Sequence, residues 1–131
     1  MNKTIWQMPV PASSILKGPS LNQLHKRQVE MSFFIEGDDD SEKRIALLFE
    51  GVESYKVTHL TSLGSINREL RSQAYGTVIS VALSPWLNEV RNAYVEYCLA
   101  ANQSPKELQH LMTFFDDGPC CEFICTGFKV S

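Results

Sequence analysis

The fold is decided by residues 109–130, QHLMTFFDDGPCCEFICTGFKV. Two runs rich in Phe, Ile and Val, 109–115 and 121–130, flank the turn residues Asp-Asp-Gly-Pro at 116–119. Apolar runs separated by such residues are typical of a β-hairpin. We therefore predict an antiparallel hairpin, with Gly127 as a bulge in its second strand.

Three upstream segments repeat the same strand pattern. Apolar and polar residues alternate with period two in runs that start near Gln28, Lys43 and Thr77. This period places successive side chains on opposite faces of a strand. The sequence therefore predicts a protein dominated by half-buried strands.

Two further segments have helical spacing. Apolar residues recur every three to four positions in 62–75. A second helix is predicted after Ser84, which suits an N-cap, with Pro85 at the first helical position. Residues 92–99 are also good strand formers, which leaves an extended conformation open there. A second Ser-Pro pair in 104–107 predicts one more helical turn.

These elements predict one α+β domain over residues 1–131. We expect a mostly antiparallel β-sheet of five to seven strands, with one or two helices packed on one face. The length of 131 residues, with 44% apolar and 21% charged residues, is typical of a single globular domain. Residues 1–23 contain three prolines and are expected to form an irregular lead-in, with at most a short edge strand around 14–17.

Charge and hydropathy exclude several classes of partner. The formal net charge is −3, and the basic residues occur at most in pairs, so no nucleic acid partner is expected. The longest apolar run is far below the roughly 20 residues that cross a bilayer, so no membrane association is expected. The first residues lack the apolar core of a signal peptide, which predicts a cytoplasmic protein.

Four cysteines invite a metal or redox hypothesis. Cys98, Cys120, Cys121 and Cys125 lack the paired spacing of zinc ligands, so we expect buried reduced thiols and no metal. No glycine-rich phosphate loop is present, and no cofactor is expected. The alternative is a small enzyme or small-ligand-binding module that uses His59 and this cysteine region.

Some polar and aromatic residues are candidates for contact with another protein. Three acids in one predicted turn and two in another concentrate negative charge at loop tips. A tryptophan in the polar lead-in is a candidate for a surface contact or for a homodimer interface. The candidate protein-contact residues are Trp6, Asp38, Asp39, Asp40, Asp116 and Asp117.

The hairpin also resembles a known pattern. Residues 110–124 are similar to the H-x-x-x-x-F-D-D-x-x-x-x-E-x-I stretch of small uncharacterised bacterial single-domain proteins, and residues 84–87, Ser-Pro-Trp-Leu, are similar to their S-x-W-L segment. The likeness covers only these two segments and departs from the pattern at Pro119 and at the doubled Cys120-Cys121. Many such proteins look like immunity proteins of polymorphic toxin systems. The resemblance implies a non-catalytic module that binds a cognate protein partner, and it carries no catalytic residue.

Overall fold

The computed structural model describes residues 1–115 and 118–131, and within them the chain forms nine strands and two α-helices. Two short 3-10 helices, Ala12–Ser14 and Leu60–Ser65, connect these elements. The strands are β1 (Lys3–Gln7), β2 (Lys17–Gln23), β3 (Val29–Glu36), β4 (Glu42–Glu50), β5 (Ser54–Thr58), β6 (Thr77–Ser80), β7 (Gln109–Phe114), β8 (Cys120–Cys125) and β9 (Gly127–Val130), and the helices are α1 (Arg68–Ala74) and α2 (Pro85–Ala100).

The strands form two antiparallel sheets. The larger sheet has the order β1-β6-β7-β8-β5, and the smaller has the order β2-β3-β4-β9. The predicted α+β class and antiparallel pairing are confirmed, but there are two sheets and more strands than expected. The difference comes from residues 1–23, which supply β1 and β2 where an irregular lead-in was predicted. Pairing with β6 and β3 imposes extended structure on a segment whose local sequence signal is weak.

The main core lies between the two sheets. Phe33, Leu47 and Phe49 of the smaller sheet are fully buried, as is Phe123 of the larger one. The rings of Phe49 and Phe123 stack with centroids 3.8 Å apart and planes 10° from parallel. Such aromatic pairs contribute about 0.5–1.5 kcal/mol beyond the area that they bury.

The outer face of the larger sheet is covered by the helices, as predicted. α1 packs near Ile79 and Met112, whereas α2 packs through Leu87 on Leu108 and Ile124. Strand β8 is therefore buried on both faces along its whole length. In the described part of the chain, no helix combines the length and hydropathy needed to span a bilayer.

The predicted N-terminus of α2 is confirmed. Ser84 is the N-cap, its Oγ accepts a hydrogen bond from the Leu87 N–H at 3.0 Å, and Pro85 occupies the first turn. The extended alternative for residues 92–99 is wrong. The helical turn predicted after Ser104 is also wrong, because the Lys106 N–H donates to the Tyr94 hydroxyl at 3.0 Å instead of starting a helix.

Two of the three points at which the chain passes between the sheets are adjacent. One crossing is at Gly51, between β4 and β5, and the other is at Thr126, between β8 and β9. The Glu50 carbonyl accepts hydrogen bonds from the Thr126 N–H at 2.9 Å and from its hydroxyl at 3.1 Å. Gly51 has a φ of 58°, and a Cβ at this position would lie 2.2 Å from the Thr126 Oγ1. Only glycine fits this crossing without displacing Thr126.

We predict that Gly51→Ala lowers the free energy of unfolding by about 2–3 kcal/mol, because the left-handed backbone and the contact with Thr126 both oppose a side chain. Gly64→Ala is the matched control, since a Cβ there meets no atom within 4 Å. We expect the control to stay within about 0.5 kcal/mol of the parent chain in urea unfolding. Equal stability of the two variants would contradict the crossing argument.

Candidate functional site

Three buried polar side chains form a continuous chain of hydrogen bonds on the outer face of the larger sheet. The Ser84 Oγ lies 2.7 Å from the His110 Nδ1, and the His110 Nε2 lies 2.9 Å from the Glu122 Oε1. All three residues are at most 7% exposed. We call Ser84, His110 and Glu122 the buried polar chain.

The chemistry of the two end residues, Ser84 and Glu122, indicates which atom donates the proton in each hydrogen bond. A carboxylate only accepts, so the His110 Nε2–H donates to Glu122, and in the neutral imidazole the Nδ1 accepts the Ser84 hydroxyl proton. The Ser84 oxygen still accepts from the Leu87 N–H. Each member thereby has a partner, which removes most of the cost of burying polar groups.

Trp86 and Lys56 cover this chain on the solvent side. The Trp86 ring meets the His110 ring edge-on, with centroids 5.1 Å apart. The Lys56 Nζ lies 4.4 Å from the Trp86 ring centroid and 3.8 Å from the Glu122 Oε2. The cation therefore interacts with both the aromatic face and the buried carboxylate.

A serine, a histidine and a glutamate in this order have the connectivity of a hydrolytic triad. The Ser84 oxygen, however, is engaged by the Leu87 N–H at the start of α2. Ser84, His110 and Glu122 line none of the five best-formed cavities among the described residues. A nucleophile needs space for a substrate carbonyl. The hydrogen bonds of the buried polar chain instead attach the first turn of α2 to the larger sheet.

All three members of the buried polar chain lie in segments that the sequence singles out, but no local pattern predicted that they are hydrogen-bonded to one another. His110 and Glu122 lie in the two strands of the predicted hairpin. The hairpin pairs His110 with Ile124 and Met112 with Glu122, so the histidine and the glutamate are diagonal neighbours on one face. The register of the hairpin is therefore the feature from which the proximity of His110 and Glu122 could have been predicted. Ser84 comes from a separate segment and had no such signal.

The cysteine region does not have the properties of an active site. All four cysteines are free and buried. His59 is exposed, and it follows Thr58, which pairs with Cys120. Burial, with the charge of Glu122 as a second cause, raises the pKa of Cys120 to about 12. A catalytic thiol needs the opposite shift. In addition, no cluster of three His, Cys, Asp or Glu residues suited to a metal ion occurs in 1–115 and 118–131.

The acidic turn predicted at residues 38–40 is present and exposed. The Asp39 Oδ1 accepts hydrogen bonds from the Ser41 hydroxyl and from the Ser41 N–H, and these bonds hold the Asp39 pKa below its usual value. This is the role of Asp in a turn. Asp116 and Asp117, the acids of the second predicted turn, lie outside the described residues.

Trp6, the aromatic candidate for a surface contact, is half-buried. It packs against the main core, with its ring centroid 6.5 Å from that of Phe33. Part of the Trp6 ring is therefore packed in the protein core.

An open groove of about 720 Å³ runs along one flank of α2. The helix presents a stripe spaced by four, three and four residues, namely Trp86, Val90, Ala93 and Tyr97. Tyr97 is 65% exposed, so the stripe faces solvent as well as the groove. We call this feature the α2 groove.

The rest of the α2 groove is polar and charged. Arg27, Glu53 and Ser54 form the opposite wall, and Lys106 lies where the chain leaves the helix. The Arg27 Nη1 pairs with the Glu53 Oε2 at 2.7 Å. Glu89 adds a carboxylate on the helix side. The groove thus combines exposed aromatic surface with charges of both signs.

Arg27 belongs to an unusual turn. Lys26 and Arg27 have φ values of 57° and 61° between β2 and β3, and the Gln28 N–H donates to the His25 carbonyl at 3.2 Å. These are the features of a type I′ turn, in which Asn and Gly are favoured at both central positions. Left-handed backbone costs other residues roughly 1–2 kcal/mol each. Strain retained at such a position favours a functional role for the side chains.

We predict that Ser84→Ala lowers the free energy of unfolding by about 1–3 kcal/mol, because it removes the helix cap and leaves the His110 Nδ1 buried without a donor. Ser84→Thr keeps the hydroxyl and is the matched variant. We expect it to lose less than half as much in urea denaturation. If both variants lost the same amount, the hydroxyl would not be the important group.

The buried thiols predict an alkaline loss of stability. Burial is the main cause that raises the pKa of Cys121 and of Cys125 to about 12, from an ordinary value of 9.0. Between these values the unfolded chain releases protons that the folded chain keeps, so the free energy of unfolding falls as pH rises from about 9 toward 12. We expect Cys121→Ala to fall less steeply in urea titrations at increasing pH. Parallel curves for Cys121→Ala and the parent chain would contradict the assignment.

Comparisons of the chain with protein-family models, with characterised proteins and with solved structures find no match. Function is therefore argued from two local features. One is the buried polar chain, which is closed to solvent, and the other is the α2 groove, which is open to it.

Proposed function

We propose that this chain is a non-catalytic protein-binding module of the immunity type, and that it binds its partner protein in the α2 groove. The observation that carries the proposal is the stripe of half-buried Trp86 and Val90 and exposed Ala93 and Tyr97, which faces the Arg27 wall. Trp, Tyr and Arg are the residue types that contribute most binding energy in protein interfaces.

The shape of the groove favours a protein partner over a small molecule. Sites for small ligands enclose most of the ligand surface. Here one wall is the outer flank of a helix, and Ala93 and Tyr97 are exposed, so an occupant would keep one side in solvent. A segment of a partner protein meets this condition because the rest of the partner covers that side.

The burial of the triad-like residues and of the cysteines adds support. Ser84 and His110 are engaged in the buried polar chain, and the pKa values of Cys120, Cys121 and Cys125 are raised to about 12. The groove itself presents aromatic rings, an ion pair and a few polar groups, which suit recognition better than chemistry.

The test uses the product of the gene immediately upstream of this one, purified and titrated by calorimetry. We expect a stable complex that Tyr97→Ala weakens at least about tenfold, because a large interfacial ring is removed. Leu99→Ala is the matched control: Leu99 is also 65% exposed and lies on the same helix, but not in the groove. We expect the control to bind as the parent chain does.

Two outcomes would contradict the proposal. If the upstream product does not bind, the immunity-type function fails. If Tyr97→Ala and Leu99→Ala bind equally well, whereas a double Asp38→Asn and Asp40→Asn variant loses affinity, the partner binds the acidic loop and not the α2 groove.

A further inference from the structure

The free edge of β5 lies beside the α2 groove. β5 is the last strand of the larger sheet and pairs with β8 on one side only. Its other side carries backbone donors and acceptors that pair with no strand in residues 1–115 and 118–131. Such an edge is a template for an additional strand from another chain.

Two cavities meet at the beginning of this edge. The α2 groove lies on the helix side, and a second cavity of about 320 Å³ lies on the side of the smaller sheet. Arg27, Glu53 and Ser54 line both, so the Arg27–Glu53 ion pair stands between them. An added strand would direct alternate side chains into the two cavities, because successive residues of a strand point to opposite faces.

The linings of the two cavities differ. The helix side offers the aromatic rings of Trp86 and Tyr97, whereas the other side offers Gln23 and Gln28 together with the Tyr55 ring. The first suits an apolar or aromatic side chain, and the second suits a polar one. The edge therefore fits an extended segment in which apolar and polar residues alternate.

The turn at Lys26 and Arg27 indicates which charge the incoming segment should carry. It presents His25, Lys26 and Arg27 together, all exposed, and Glu53 is the carboxylate that pairs with Arg27 there. The backbone would be relaxed by Asn and Gly, yet two basic side chains occupy the strained positions. A carboxylate on the incoming segment would complement them, as Arg and Lys commonly bind acidic groups in interfaces.

We propose that the partner contributes an extended acidic segment, which adds to β5 as a further strand, places an apolar or aromatic side chain in the α2 groove and pairs a carboxylate with the Lys26-Arg27 turn. This inference rests on the proposed function. It goes further by specifying the conformation and the charge of the bound segment.

The test combines hydrogen exchange with a redesigned turn, again with the upstream gene product as the partner. On complex formation, we expect the backbone amides of residues 54–58 that point away from β8 to exchange at least about tenfold more slowly, because the added strand protects them. The double variant Lys26→Asn and Arg27→Gly has the preferred type I′ sequence. We expect its melting temperature to rise by about 3–6 °C and its affinity for the partner to fall at least about tenfold.

Lys43→Asn is the control for charge, since Lys43 is an exposed lysine near the opposite end of the smaller sheet. We expect it to leave the affinity unchanged. If the complex forms and Tyr97→Ala weakens it, but residues 54–58 exchange as before, the strand addition is wrong and the proposed function stands. If the redesigned turn binds as tightly as the parent chain, the acidic requirement is wrong. If no complex forms, the proposed function itself fails.

Discussion

The structure depends on the burial of one carboxylate. Glu122 sits in the middle of β8, a strand that is covered on both faces, and an unpaired ion in such a place would cost several kcal/mol. His110, Lys56 and Trp86 all lie where they reduce this cost. Ser84 extends the network to the first turn of α2. The position of the helix, and hence the shape of the α2 groove, therefore follows from how Glu122 is satisfied.

The same arrangement separates the closed part of the outer face from the open part. Trp86 belongs to both, since its ring packs at a right angle against the His110 ring and its side chain lines the groove. In the closed part, the side chains of the buried polar chain are hydrogen-bonded to one another and are shielded from solvent. Along the flank of α2, aromatic rings and charges remain exposed. We therefore place the proposed partner site at the α2 groove and not at the buried polar chain.

Much of the fold could be predicted from local pattern. The alternation in β3, β4, β7 and β8 and the Ser84-Pro85 cap were strong signals, because period and capping chemistry act over a few residues. β1 and β2 were missed because long-range pairing, and not local preference, makes them strands. The groove could not be predicted either. It joins Arg27, Glu53 and Tyr97, which are brought together only by the packing of a helix and two sheets.

The two crossings at Gly51 and Thr126 also bear on how the molecule acquires its structure. β8 is an internal strand of the larger sheet, and β9 is an edge strand of the smaller one. Because both strands follow residue 119, neither sheet can be completed before that part of the chain has been synthesised. The pairings of β1 with β6 and of β4 with β9 join residues that are at least 70 positions apart. Such non-local pairing slows folding. During synthesis, both sheets therefore remain incomplete until β8 and β9 have left the ribosome. In that period the unpaired strands are exposed, and chaperones or the solubility of the strands must prevent their aggregation.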